Sequence, residues 1–155
     1  KLHDPLLRFW SRFIYPNGSA IYQMDEKSSF LNLIKPHLDA YYGTGYETLC
    51  REALSRLYQR EELTCAYEIG EYWDKDIQID IVGYRQDGVI DICECKWGKI
   101  SSMPQLLKEL NSKISAYPNK DNKTIHGRLF LRSRGKQPSS HSVRTHFLSD
   151  LYRLD

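Results

Sequence analysis

The residues of this sequence with the types and spacing for chemistry gather in two short segments. One is Ile79-Asp80-Ile81-Val82, and the other is Asp91-Ile92-Cys93-Glu94-Cys95-Lys96-Trp97. Their period-2 pattern predicts strands, with polar residues inserted where a plain core strand would carry apolar ones. Ile79, Ile81 and Gly83 fall on one face of the first strand, and Asp80, Val82 and Tyr84 on the other. Between the strands, Gln86-Asp87-Gly88 fits a three-residue hairpin loop, with Gly88 suited to the left-handed position of its bulge. Arg85 then faces Val89. Counting back sets Asp80 opposite Glu94, roughly 5 Å apart at Cβ. Lys96 follows two residues on, on the same side.

Two adjacent carboxylates repel, and burying them is costly unless something positive lies between them. Lys96 can do this as a structural ion pair. A hard divalent cation can also do it. Mg²⁺ takes oxygen ligands, keeps several waters, and is commonly held by one or two carboxylates plus a substrate phosphate. Such an ion polarises a phosphoryl oxygen and lowers the pKa of a water, which Lys96 could orient. The plainer readings stand beside these. Asp80 and Glu94 fit an ordinary solvated strand face, and Gln105 an ordinary first-turn helix residue. Glu47 lies three residues after Thr44, the spacing of a capping box. Trp73, Tyr84 and Trp97 read as core or rim aromatics rather than base-stacking platforms.

The elements that must position these residues follow from the rest of the pattern. Asp4-Pro5 reads as N-cap and first helical residue, and Leu6, Phe9, Trp10, Phe13 and Ile14 follow at helical spacing. Pro16-Asn17-Gly18-Ser19 is expected to stop that helix. Short helices are expected over 28–34 and 36–41, separated by Pro36. A longer helix runs from the Thr44 cap to Arg60, with an apolar stripe of Tyr46, Leu49, Cys50, Ala53, Leu54, Leu57 and Tyr58. Strands are expected over 64–73, 77–85 and 89–97, then a helix over 104–117 and a strand over 125–132. A polar loop over 134–142, a short strand over 143–148 and a last helical turn over 149–154 complete the chain. A helical crossover after the third strand lets the fourth join it in parallel, giving an α/β fold with a mixed central sheet flanked by helices. Residues 1–42 form a helical segment whose aromatic face suits packing on, or linkage to, an upstream domain. Residues 43–155 form the α/β domain.

The 155 residues have the size of one domain, and the composition is that of an ordered globular chain. No stretch approaches the roughly 18 uncharged apolar residues of a membrane span, and Asp4, Pro5 and Arg8 interrupt any signal-peptide run. The chain opens on Lys1 rather than Met, which points to a piece of a longer protein. The formal charge of +2 hides an asymmetry. Residues 1–112 hold 13 Lys and Arg against 17 Asp and Glu, whereas residues 113–144 hold eight against the single acid Asp121. The later stretch is therefore a candidate basic patch. Cys50, Cys65, Cys93 and Cys95 offer no second pair at zinc spacing and read as free thiols, most of them buried, which suits a cytoplasmic protein.

These segments carry a resemblance. Asp80 with Glu94-Cys95-Lys96, preceded by the helix bearing Glu47, resembles the D…ExK signature of the PD-(D/E)XK nucleases. More narrowly, three stretches resemble landmarks of DUF234, a C-terminal domain found on archaeal and bacterial ATPases. They are Asp4-Pro5-Leu6-Leu7-Arg8-Phe9-Trp10, Gly45-Tyr46-Glu47-Thr48-Leu49-Cys50-Arg51-Glu52, and Glu94-Cys95-Lys96-Trp97. The resemblance implies a restriction-endonuclease-like fold, with Mg²⁺ or Mn²⁺ held by Glu47, Asp80 and Glu94. Lys96 would serve the attacking water, and Gln105 matches loosely a glutamine of some relatives. The implied reaction is metal-assisted hydrolysis of nucleic acid, DNA foremost. Lys113, Lys120, Lys123, Arg128, Arg132, Arg134, Lys136 and Arg144 would contact its backbone. The implied partner is an upstream ATPase domain. No G-x-x-x-x-G-K-[ST] occurs here, so this segment could not hydrolyse ATP in that way. Two alternatives stay open. One is a catalytically silent nuclease-fold module that regulates or docks on an ATPase and binds DNA. The other is an unrelated α/β module in which Lys96 neutralises Asp80 and Glu94. The expected partners also include a further copy of the chain in an oligomer.

Overall fold

A computed structural model describes residues 4–134 and 143–152 and divides the chain into two units, Lys1–Tyr42 and Gly43–Asp155. In the first unit, Asp4 caps helix α1 (Pro5–Phe9) by accepting the Leu7 N–H at 2.8 Å. Pro16 does not stop the winding as expected. A π turn (Trp10–Ile14) and a 3₁₀ turn (Tyr15–Asn17) carry it into α2 (Gly18–Gln23). The same sequence of turns recurs after α3 (Glu26–Ser29), through a π turn (Phe30–Ile34) and a 3₁₀ turn (Lys35–His37) holding Pro36. In each case the proline sits near the start of a 3₁₀ turn that follows a π turn, outside the regular α-helical hydrogen-bond ladder that its missing N–H would break, and the winding continues past it. Phe9, Phe13 and Tyr41 pack edge-on or tilted, and the Tyr41 hydroxyl donates to the Pro5 carbonyl at 2.9 Å.

Winding continues into α4 (Leu38–Arg60), whose residues from Gly43 onward belong to the second unit. Thr44 therefore lies inside a helix rather than at its N-terminus. The helix ends with Glu62 in the left-handed region (φ 55°), where the Leu63 N–H reaches the Tyr58 carbonyl and the Glu62 N–H reaches that of Gln59.

Five strands follow: β1 (Tyr67–Trp73), β2 (Gln78–Arg85), β3 (Val89–Lys96), β4 (Thr124–Leu131) and β5 (Val143–Phe147). Helix α5 (Met103–Ala116) lies between β3 and β4, and α6 (Leu148–Leu151) follows β5. They pair in the order β1-β2-β3-β4-β5, antiparallel as far as β3 and parallel beyond it. The fold is α/β with a mixed sheet. Gly88, at φ 87°, closes the β2–β3 hairpin as expected. Helix α4 covers one face, packing Cys50, Leu54, Leu57 and Tyr58 against Ile81, Cys93, Cys95 and Phe130. Helix α5 covers the other, packing Leu106 and Leu110 against Val82, Ile90, Ile92, Leu129 and Leu131. All four cysteines are free thiols, and only Cys65 is not buried. Among the described residues no helix is long and apolar enough to cross a membrane.

Under α4 lies a buried polar network. Arg128 and Asp91 are both 0% exposed. Arg128 Nε donates to Asp91 Oδ1 at 2.7 Å, and its two terminal nitrogens grip Glu61 at 2.8 and 2.9 Å. The Tyr58 hydroxyl donates to Asp91 Oδ2 at 2.6 Å, and Arg144 adds a contact to Glu61 at 2.9 Å. Arg128 is thus a correction to the expected nucleic-acid contacts. Its charge is consumed inside the fold, where losing a partner would leave an uncompensated ion at about 3–5 kcal/mol. His146 stacks on Phe130 and places Nε2 3.5 Å from Arg128.

Two outcomes follow. A Cβ on Gly83 would lie 2.0 Å from the Tyr58 hydroxyl oxygen. Gly83→Ala should therefore destabilise by roughly 2–4 kcal/mol in denaturant melts, combining overpacking with a damaged buried hydrogen bond. Adding Tyr58→Phe should cost less than the sum of the two single changes, and strict additivity would refute the clash. The second concerns acid. Burial, and then the neighbouring Arg128 charge, hold His146 down at about 4 against an ordinary 6.5. The unfolded chain takes up that proton first, so stability is lost as pH falls from 6.5 towards 4. Wild type should lose on the order of 2–3 kcal/mol relative to His146→Gln between pH 7 and pH 4.5. Parallel stability curves for the two proteins would exclude the effect.

Candidate functional site

The site begins with a bulge in β2. Between the pairs Gly70↔Val82 and Tyr72↔Ile79, β2 spends two residues, Asp80 and Ile81, against the single Glu71. The register set by the hairpin holds from Tyr84↔Ile90 to Ile81↔Cys93. Asp80 is the next residue, where β2 bulges against β1, and the β2–β3 ladder stops before it. Its Oδ2 accepts the Cys95 N–H at 2.8 Å. The extra residue also inverts the alternation beyond it. Ile79 consequently packs with Val82, Ile90 and Ile92, not with Ile81 as simple period-2 counting expects.

Glu94 is 3% exposed, and both of its oxygens are occupied. Lys96 Nζ lies 2.8 Å from Oε1, and Lys113 Nζ lies 2.5 Å from Oε2. Lys96 therefore meets Glu94 as anticipated, while Lys113, counted earlier among the outer basic residues, belongs to the site. Burial, and then the Glu94 charge, push the Asp80 carboxyl up. Burial would lower the Lys96 ammonium, but its hydrogen bond to Glu94 and the charges of Glu94 and Asp80 raise it overall.

Glu47 stands half-buried on α4. With the helix starting at Leu38, no capping role accounts for it. Burial, and then the Asp80 charge, raise its carboxyl, with Glu94 a smaller contributor. The three acids thus share one electrostatic neighbourhood. Among the described residues, however, no group of three or more His, Cys, Asp or Glu stands close enough to hold a metal ion. Gln105 falls in the first turn of α5, where its N–H meets the N-cap Ser102 Oγ at 3.3 Å. Its side chain reaches Glu109 at 3.3 Å, and both line a cleft of about 160 Å³ with Lys96.

The remaining basic residues are dispersed. Lys123 Nζ donates to the Arg85 carbonyl at 2.6 Å and lies over the Tyr84 ring. Arg134 pairs with Asp150, and Arg144 with Glu61. Arg132 is exposed and covers Trp97, Lys120 is exposed, and Lys136 lies outside the described residues.

Over residues 10–123 the chain matches the family model DUF234, archaea bacterial proteins of unknown function. It belongs to that family. No curated protein and no solved structure matches it. The DUF234 span holds every residue placed at the site, from Glu47 to Lys113, whereas Arg128, Arg132, Arg134 and Arg144 lie beyond it.

Sequence reasoning missed two features of this DUF234 chain. Lys113 falls seven residues after Leu106 and three after Leu110, on the apolar stripe of α5. Arg128 falls on the inward face of β4, opposite Cys93 of β3 and within hydrogen-bond reach of inward Asp91 two residues earlier on that strand. Each is a cation at an apolar position, and that mismatch was the available signal. Lys113→Gln leaves buried Glu94 with Lys96 as its cationic partner. In chelator it should lower stability by about 1–2 kcal/mol, one charged hydrogen bond in a half-buried setting. An unchanged melt would mean that Lys113 does not compensate Glu94.

Proposed function

We propose that the unit Gly43–Asp155 is a restriction-endonuclease-like, metal-dependent phosphodiesterase acting on nucleic acid, DNA foremost. The observation that carries it is the convergence of Asp80, re-aimed by its bulge, with Glu94 and Lys96 at one end of the β2–β3 pair. Glu47 feels the charges of Asp80 and Glu94, and Gln105 shares a cleft with Lys96. The donor set fits Mg²⁺ or Mn²⁺ in kind. It offers hard carboxylate oxygens without thiolate or imidazole, and two carboxylates suffice when water and phosphate complete the shell. Asp80 and Glu94 would hold the ion, with Glu47 supplying further negative charge from α4. Such an ion polarises a phosphoryl oxygen and lowers the pKa of a water. Lys96 is poised to orient that water and to stabilise the charge that develops on phosphate. Gln105 would position the substrate from the first turn of α5. Lys113 must leave Glu94 Oε2 before that oxygen can take a ligand. It then becomes a cation free to meet a phosphate.

A second reading has its own observation. Glu94 is already neutralised by two ammonium groups, which suits a silent nuclease-fold module that docks on an ATPase encoded upstream and binds DNA. One experiment separates the two. Plasmid and single-stranded DNA are incubated with Mg²⁺ or Mn²⁺ beside Asp80→Ala and Lys96→Met. The phosphodiesterase requires metal-dependent cleavage that Asp80→Ala abolishes and that Lys96→Met slows by roughly 100- to 1,000-fold. Folded wild-type protein that cleaves neither substrate supports the silent module. Mn²⁺ should also raise the melting temperature of Lys113→Gln more than that of wild type, because the ion no longer competes with Lys113 for Glu94 Oε2.

A further inference from the structure

The parallel strands β3 and β4 end side by side, with the Arg132 N–H bonded to the Lys96 carbonyl at 3.1 Å. Beyond these carboxyl ends, where open α/β sheets commonly bind ligands, lies a cleft of about 510 Å³. That volume is within the roughly 300–1,000 Å³ of small-molecule sites. Its walls include Trp97, Lys99, Arg132, Ser133 and Arg134. Three of these side chains are cationic, and no carboxylate is among the described lining residues. Arg134 is shared with Asp150 at the rim. The Arg132 guanidinium lies 4.3 Å from the centre of the Trp97 ring, and Arg132 is exposed. Trp97 is itself backed by Tyr46 at 5.7 Å, on the α4 side of the core.

Both components of a strand-binding site are therefore present. Cations can track a phosphate backbone, and a flat guanidinium seated on indole offers a plane for a base to stack against. The plane is useful only to an unpaired base, because a duplex buries its base faces and presents phosphates. We propose that this cleft binds single-stranded nucleic acid, holding an unpaired base on Arg132 and the adjoining phosphates with Lys99 and Arg134. This rests on the phosphodiesterase reading for its outcome. A strand seated there begins one residue from Lys96 and would feed its next phosphodiester towards Glu94.

The test uses the whole 155-residue chain in chelator, so that binding is measured without cleavage. Fluorescence anisotropy compares a labelled 12-nucleotide DNA strand, the same sequence as RNA, and the DNA duplex. Tighter binding of either single strand than of the duplex supports the proposal, and the two strands distinguish DNA from RNA. Arg132→Ala should weaken strand binding roughly tenfold. Arg132→Lys should also weaken it, because charge is kept and the plane is lost. Lys99→Gln should reduce the salt slope by about 0.7. Arg132 is exposed, so these variants leave the core intact. Equal or tighter duplex binding, no binding, or an Arg132→Lys variant as tight as wild type would overturn the cleft. Strand binding without metal-dependent cleavage would instead overturn the phosphodiesterase and leave the cleft standing. Cleavage of single strands unaffected by Arg132→Ala would do the reverse.

Discussion

The fold depends on the buried ion pair between Arg128 and Asp91. A guanidinium and a carboxylate with no exposed surface can persist only if each remaining donor and acceptor is met. Glu61 at the end of α4 and Tyr58 within it supply those partners. The network ties the covering helix to β3 and β4, and Arg144 extends it to β5. It also explains two local choices that otherwise look unfavourable. Gly83 has no side chain because the Tyr58 hydroxyl occupies that volume. Glu62 takes a left-handed conformation because the chain must turn immediately after Glu61.

At the other end of β3 the sheet is allowed to be irregular. The bulge at Asp80 interrupts pairing just where β3 brings Glu94 and Lys96 forward. A regular strand would have left Asp80 opposite Glu94 with its carboxylate free. The bulge turns it onto the Cys95 N–H, which fixes it against the neighbouring strand. Bulges commonly re-aim side chains beside functional sites. Beside the network around Arg128, three acids and two lysines thus lie in one electrostatic neighbourhood at the other end of β3.

The two halves also divide the basic residues. Arg128, Lys113 and Arg144 spend their charge on Asp91, Glu94 and Glu61. A count along the sequence makes the stretch after residue 112 look uniformly basic, yet much of that charge is consumed within the fold. Of what remains outward, Arg132 and Arg134 lie beyond the ends of β3 and β4 beside Trp97, while Lys120 precedes β4. Net charge thus locates a region, and pairing decides which of its cations can meet a ligand.

The sequence by itself determined the strands, the parallel joining of the fourth after a helical crossover, the Gly88 hairpin and the register as far as Ile81↔Cys93. These rest on alternation and turn chemistry, which act over a few residues. It also brought Glu94 and Lys96 together, because residues two apart on a strand share a face. Only the tertiary structure decided the start of α4, since the π and 3₁₀ turns that carry the winding past Pro16 and Pro36 leave no local signature. Only it removed Thr44 as the explanation of Glu47. The bulge at Asp80 needs β1 for its definition, as two residues are seen to oppose one only when the partner strand is in place. Lys113 and Arg128 were legible as misplaced cations, but their partners lie 19 and 37 residues away. Which carboxylate a buried cation finds is settled by packing across elements, because the cost of leaving it unpaired is incurred only once the core has closed.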